Sequence, residues 1–135
     1  MFSFHHVALS VSSLDRSISF YQALGFEQVM HWQAEDGSLQ IAQLRLGEAL
    51  LELFCYAKPT SAPVTSQELA TDLPRIGVKH FGLQVADLQQ TSVHLVELGM
   101  LGDAKITKGR TGIDYLFIRD PDGILLEIVE DKRGV

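Results

Sequence analysis

Two histidines and two glutamates stand out in this 135-residue chain by type and by spacing. His6 and His80 each open an alternating run, Val7-Ala8-Leu9-Ser10-Val11 and Phe81-Gly82-Leu83-Gln84-Val85. Glu52 and Glu127 each interrupt an apolar run, Ala49-Leu50-Leu51-Glu52-Leu53-Phe54 and Ile124-Leu125-Leu126-Glu127-Ile128-Val129. A carboxylate in such a run is expensive to bury unless its charge is compensated. A metal ion compensates it directly; so does an arginine, and Arg45 and Arg119 are the nearest candidates in sequence. Two imidazoles and two carboxylates balance a divalent cation and suit Zn, Ni, Co, Mn or Fe better than Ca or Mg. Four protein ligands around a six-coordinate ion leave positions open, which separates a catalytic centre from a closed structural one.

The four residues belong to an internal repeat, the feature to seek before any single motif. HHVALSVSSLDRSISFYQALG at 5–25 matches KHFGLQVADLQQTSVHLVELG at 79–99 with an offset of 74, which places His6 on His80, Leu9 on Leu83 and Leu14 on Leu88. Downstream, at an offset of 75, Ala49-Leu50-Leu51-Glu52-Leu53 matches Ile124-Leu125-Leu126-Glu127-Ile128. Equivalent His and Glu positions in both halves are hard to ascribe to four independent accidents.

The elements that must position them follow from periodicity. In the first opening strand Val7, Leu9 and Val11 point one way and His6, Ala8 and Ser10 the other; in the second, Phe81, Leu83 and Val85 oppose His80, Gly82 and Gln84. The bulky face belongs under a helix and the small, polar face along a cavity. A helix follows each strand, with Ser13 and Asp87 as N-caps and Gly25 and Gly99 as left-handed stops. Its apolar stripe is Leu14, Ile18 and Tyr21 in the first module and Leu88, Thr91, Leu95 and Leu98 in the second. Strands are expected near 26–34, 39–46 and 49–57, then near 103–108, 112–119 and 124–130, with turns at Asp36-Gly37, Gly47-Glu48 and Asp122-Gly123. The pattern is β-α-β-β-β twice: an α+β domain, with module one at 4–57 and module two at 78–131. The linker, 58–77, holds Pro59, Pro63 and Pro74 and a helical turn around 66–70.

Composition sets the class. Hydrophobic residues make up 46% and charged residues 21%, a globular balance. The net charge of −6 disfavours nucleic acid as a partner. No apolar run approaches the roughly 20 residues that span a bilayer, so no membrane partner is expected. A single cysteine, Cys55, and an N-terminus without a basic and apolar leader fit a cytoplasmic protein.

With these residues in place the chain resembles the vicinal oxygen chelate superfamily. Its members include glyoxalase I, methylmalonyl-CoA epimerase, fosfomycin-resistance thiol transferases, extradiol dioxygenases and bleomycin-binding proteins. The resemblance rests on His5-His6-Val7-Ala8-Leu9 with Leu14-Asp15-Arg16-Ser17-Ile18-Ser19-Phe20-Tyr21, on Leu50-Leu51-Glu52-Leu53-Phe54, and on Val78-Lys79-His80-Phe81-Gly82-Leu83. Its last segment is Phe117-Ile118-Arg119-Asp120-Pro121-Asp122-Gly123 running into Leu126-Glu127. It implies two βαβββ modules whose sheets form a partly open, curved mixed sheet. It also implies a divalent metal ion (Zn, Ni, Co, Mn or Fe) held by His6, Glu52, His80 and Glu127, a small-molecule substrate, and a homodimer. The glyoxalase branch uses a glutamate near the metal as a base, and Glu127 matches that position with Glu52 as its pseudo-symmetric partner. The full set of four resembles glyoxalase I and its small relatives. Leu9 and Tyr56, however, stand where glyoxalase I carries the Arg and Asn that bind glutathione carboxylates, which points to another small oxygenated substrate. A non-heme Fe(II) dioxygenase and a non-catalytic binding or resistance protein are the alternatives.

Trp32, Phe54, Tyr56, Arg110 and Tyr115 are the candidate pocket residues, with a core role the alternative for the aromatic ones. Lys108-Gly109-Arg110-Thr111-Gly112 is a Gly-flanked basic loop, suited to an anion or simply a solvated hairpin tip. Cys55 falls on the face opposite Glu52, as a small hydrophobe. His5 is a packing or supporting residue, and His94 a structural one.

Overall fold

The computed structural model describes residues 1–135. It divides into two compact units, Met1–Pro63 and Val64–Val135. Each contains a four-stranded mixed sheet, open rather than closed, with a helix on one face. No helix is long and apolar enough to cross a membrane.

The first unit runs β1 (His6–Ser10), α1 (Leu14–Ala23), β2 (Glu27–Gln33), β3 (Leu39–Leu46) and β4 (Ala49–Tyr56). Its sheet order is β1-β4-β3-β2, with β1 parallel to β4 and the other pairs antiparallel. Alternation in β4 sends Leu51 and Leu53 to the face that α1 covers, where they are buried with Ala42 and Leu44 of β3. From α1 come Leu14, Ser17 and Tyr21, and Tyr21 meets Phe26 edge-on at 5.6 Å between ring centroids. The helix therefore points Ser17 at the sheet rather than the neighbouring Ile18, which is only partly buried. A small side chain at the point of closest approach lets the helix backbone come near the strands. Ser13 caps α1 by accepting from the Arg16 N–H at 3.4 Å, and Gly25 ends the element at φ +98°.

The second unit repeats this plan. A 3-10 turn (Val64–Gln67) and a short α2 (Leu69–Asp72) precede β5 (Phe81–Gln84), α3 (Leu88–Glu97), β6 (Thr107–Lys108), β7 (Asp114–Arg119) and β8 (Leu125–Glu130). The order β5-β8-β7-β6 mirrors the first sheet, again with the opening strand parallel to the closing one. Leu88, Ser92 and Leu95 of α3 and Leu116, Ile118, Leu126 and Ile128 of the sheet form its core. The buried stripe thus runs through Ser92 instead of Thr91, and Leu98 lies 37% exposed.

The stretch 58–77 carries a boundary between the two units at Pro63. From Val64 onward it belongs to the second unit, where the Arg119 guanidinium donates to the carbonyls of Ser66 (3.4 Å) and Gln67 (3.0 Å). Lys79 donates to the Asp72 carbonyl at 2.7 Å, and Arg75 pairs with the Asp72 carboxylate at 2.9 Å.

Candidate functional site

Each unit presents one His–Glu pair on the sheet face that its helix leaves uncovered. In the first, the parallel β1/β4 register sets His6 beside Leu50 and Ala8 beside Glu52, and β3 sets Gln43 opposite Glu52. The His6 and Glu52 side chains are 41% and 18% exposed, so both remain reachable from outside the sheet. Glu52 Oε2 accepts a hydrogen bond from Gln43 Nε2 at 2.7 Å, while Oε1 lies 3.9 Å from His6 Nε2. The other ring nitrogen of His6, Nδ1, is 2.9 Å from His5 Nδ1, with the rings perpendicular at 5.1 Å between centroids. One of these two nitrogens carries the proton and the other accepts it.

The second pair is tighter and differently supported. His80 directly precedes β5, and its Nε2 lies 3.1 Å from Glu127 Oε2. Glu127 sits between Gly82 on β5 and Phe117 on β7. The His80 ring meets Phe117 edge-on at 5.2 Å, and Phe117 meets Tyr115 at 5.3 Å. The buried Nδ1 of His80 has no hydrogen-bond partner, so Glu127 and the Phe117 edge hold the ring.

Neither arginine compensates the glutamates. Arg45 donates to Glu27 at 3.2 Å, and Arg119 is spent on carbonyl oxygens, including that of Gly123 at 2.6 Å. The partners of the two carboxylates are instead imidazoles and one amide. Two donors bound to one ion at about 2.1 Å stand about 3.0–3.4 Å apart. The His80–Glu127 spacing of 3.1 Å falls in that range, and the His6–Glu52 spacing of 3.9 Å lies outside it. No group of three or more His, Cys, Asp or Glu side chains lies at metal-holding range, so the ligand-type residues come as two pairs. In donor chemistry they fit a borderline divalent ion.

The remaining expected residues divide by face. Trp32 pairs with Ile41 and Ile41 with Phe54, forming a row beside the Met30–Gln43–Glu52 row. Trp32, Phe54 and, by alternation, Tyr56 therefore share the open face with Glu52, and Trp32 is 49% exposed there. His31 falls on the other face, opposite Ala42. Tyr115 shares the open face with Phe117 in the second unit. Arg110 lies exposed at the β6–β7 hairpin tip. There Lys108 is held by both Asp114 oxygens at 3.0 and 3.1 Å, and Arg133 donates to the Thr111 carbonyl. Cys55 is half-buried on the face away from Glu52, and His94 is exposed, 3.6 Å from Glu97.

Gln43 was not among the residues singled out from sequence. The two-residue turn at Gly47-Glu48 pairs Leu46 with Ala49, and counting back along both strands brings Gln43 opposite Glu52. Hairpin register was the signal that could have found it.

A sequence model of the Glyoxalase/Bleomycin resistance protein/Dioxygenase superfamily matches residues 3–128. The uncharacterised protein YwkD of Bacillus subtilis strain 168 is 29% identical over 130 residues, covering 95% of this chain and 96% of that protein. Glyoxylase I 4 of Arabidopsis thaliana is 29% identical over 129 residues, covering 93% of this chain and 69% of that protein. The crystal structure of a glyoxalase family protein from Enterococcus faecalis superposes with a TM-score of 0.77 at 27% identity, covering 95% of this chain and 97% of that one. With a match across nearly its whole length, the chain belongs to the Glyoxalase/Bleomycin resistance protein/Dioxygenase superfamily.

Proposed function

We propose that the protein is a divalent-metal-dependent, glyoxalase-like lyase or isomerase, with His6, Glu52, His80 and Glu127 as the metal ligands. The observation that carries this reading is the repeated His–Glu pair, at 3.9 Å and 3.1 Å, on the sheet face that the helix of each unit leaves uncovered. A bound divalent ion would polarise a substrate carbonyl and stabilise the negative charge that develops on its oxygen. Glu127 is the proton carrier. Its Oε1, the oxygen not paired with His80, takes the proton from the carbon alpha to the carbonyl and returns it to the neighbouring carbon. Phe117 stands opposite Glu127 across the strands and Tyr115 shares its face, so the flank of this carboxylate is aromatic. Trp32, Phe54 and Tyr56 offer an aromatic flank beside Glu52 to the body of the substrate. Leu9 and Tyr56 supply no charge for a glutathione carboxylate, which favours a smaller oxygenated substrate.

The test joins metal analysis to isotope exchange. Protein purified without added metal is expected to carry a stoichiometric divalent ion that His80→Ala loses. In D2O it should exchange the alpha proton of small α-hydroxycarbonyl compounds, followed by NMR. Glu127→Gln is expected to slow that exchange about 10²–10⁴-fold with the circular dichroism spectrum unchanged. Full exchange in that variant would show that another group is the base.

A further inference from the structure

The two glutamates occupy equivalent positions but have opposite neighbours across the sheet. Opposite Glu52 stands Gln43; opposite Glu127 stands Phe117. Gln43 donates its amide to Glu52 Oε2 at 2.7 Å and so uses up one carboxylate oxygen. The other, Oε1, is the oxygen turned toward His6 Nε2. Phe117 offers Glu127 no donor, and the only hydrogen-bond partner of that carboxylate is His80.

We propose that Gln43 is a positioning residue for the metal centre. It fixes the Glu52 side chain so that a single oxygen, Oε1, is presented as an anchoring ligand, and it leaves Glu127 as the carboxylate free to exchange between ion and substrate. This rests on the four-ligand reading above. Its physical basis is general: a ligand whose spare oxygen is held by a neighbouring donor is already oriented before the ion arrives, and removing the donor weakens binding. Both partners lie in the half-buried middle of adjacent strands, where a 2.7 Å hydrogen bond to a charged oxygen is strong. Leucine at position 43 would keep the strand and most of the volume and remove the amide that donates to Glu52.

Co(II) alone is the probe, titrated into metal-stripped full-length protein and followed in the visible spectrum. Gln43→Leu is expected to weaken Co(II) about 10–100-fold and to alter the visible bands, while the melting temperature of the metal-free protein stays close to wild type. In a Glu52→Ala background the same substitution should change Co(II) affinity less than about twofold, because Gln43 acts through Glu52. Equal losses in both backgrounds, or an unchanged affinity and spectrum in the single variant, overturn the positioning role while leaving the ligand assignment standing. A wild-type protein that fails to bind Co(II) overturns the assignment and this inference together. A Gln43→Leu chain that melts far below wild type without metal shows a structural role instead and overturns the proposal.

Discussion

Glu52 and Glu127 show how one position in a repeated module acquires two characters. Both lie mid-strand on an uncovered sheet face with their side chains 18% and 19% exposed, but one faces an amide and the other a phenyl ring. In sequence the glutamates stood out because each interrupts an apolar run, and the histidines because they recur at equivalent positions of the repeat. Gln43 was not, because a glutamine in a strand breaks nothing; its role exists only through register. The arginine alternative failed for a related reason. Arg45 and Arg119 lie near the glutamates in sequence, yet Glu27 and the carbonyls of 66, 67 and 123 claim their guanidinium groups. Another single-residue constraint lies at the β6–β7 turn. The Gly109 N–H donates to the Ile113 carbonyl at 2.7 Å. A Cβ on Gly109 would stand 3.0 Å from that oxygen and 3.3 Å from both Ile113 Cγ1 and Tyr115 Cδ1. Gly109→Ala is therefore expected to destabilise by about 1–3 kcal/mol, measured by urea unfolding. It should also perturb the near-ultraviolet signal of Tyr115; unchanged stability would mean that the hairpin yields without cost.

At the scale of elements, the long strands fell within about two residues of their expected bounds, because glycine turns delimit them and alternation is strong. The strand expected near 103–108 shrank to Thr107–Lys108: Leu101-Gly102-Asp103-Ala104 forms a turn, with the Ala104 N–H bonded to the Leu101 carbonyl. The helix stripes shifted to Ser17 and Ser92 because closeness to the sheet, not apolarity, chose the innermost position. The caps were readable and differ in strength. Asp87 accepts from the Gln90 N–H at 2.8 Å, against 3.4 Å for Ser13 and the Arg16 N–H. Asp87→Ala should cost about 1 kcal/mol and Ser13→Ala less, by urea unfolding. A carboxylate from β8 reinforces the start of α3, since Glu130 Oε2 accepts from the Leu88 N–H at 2.8 Å. That bond, followed by Lys132, holds the Glu130 carboxyl below its ordinary range. Asp131 is drawn down to about 2, chiefly by its hydrogen bond from Arg133, and Asp72 is lowered chiefly by Arg75. A carboxyl whose pKa is depressed in the folded state contributes stability above its unfolded value of about 4 and loses it as pH falls through the folded value. Asp131→Asn is thus expected to lower the urea midpoint at pH 6. The deficit should shrink from below about pH 4 and be nearly gone at about pH 2. A deficit independent of pH would mean that the aspartate acts through shape rather than charge.

At the scale of the whole molecule, two units with separate cores carry one pair of ligand-type residues each, and this makes the metal a thermodynamic test of the complete set. Trp32 is the only tryptophan in the chain and lies in β2 of the first unit, so its fluorescence reports the unfolding of that unit. An ion bound to the folded chain alone stabilises it by about 2.7 kcal/mol at a free concentration about 100 times its dissociation constant. For a chain of this size that corresponds to a rise of about 10 °C in melting temperature. If His6 and Glu52 alone bound the ion, the rise seen by Trp32 would survive any change in the second unit. If all four residues bind it, His80→Ala should abolish most of that rise, although position 80 lies outside the unit that Trp32 reports. His6→Ala should remove the same increment, and without metal both variants should melt near wild type. A rise in Trp32 midpoint that persists in His80→Ala would remove His80 from the ligand set.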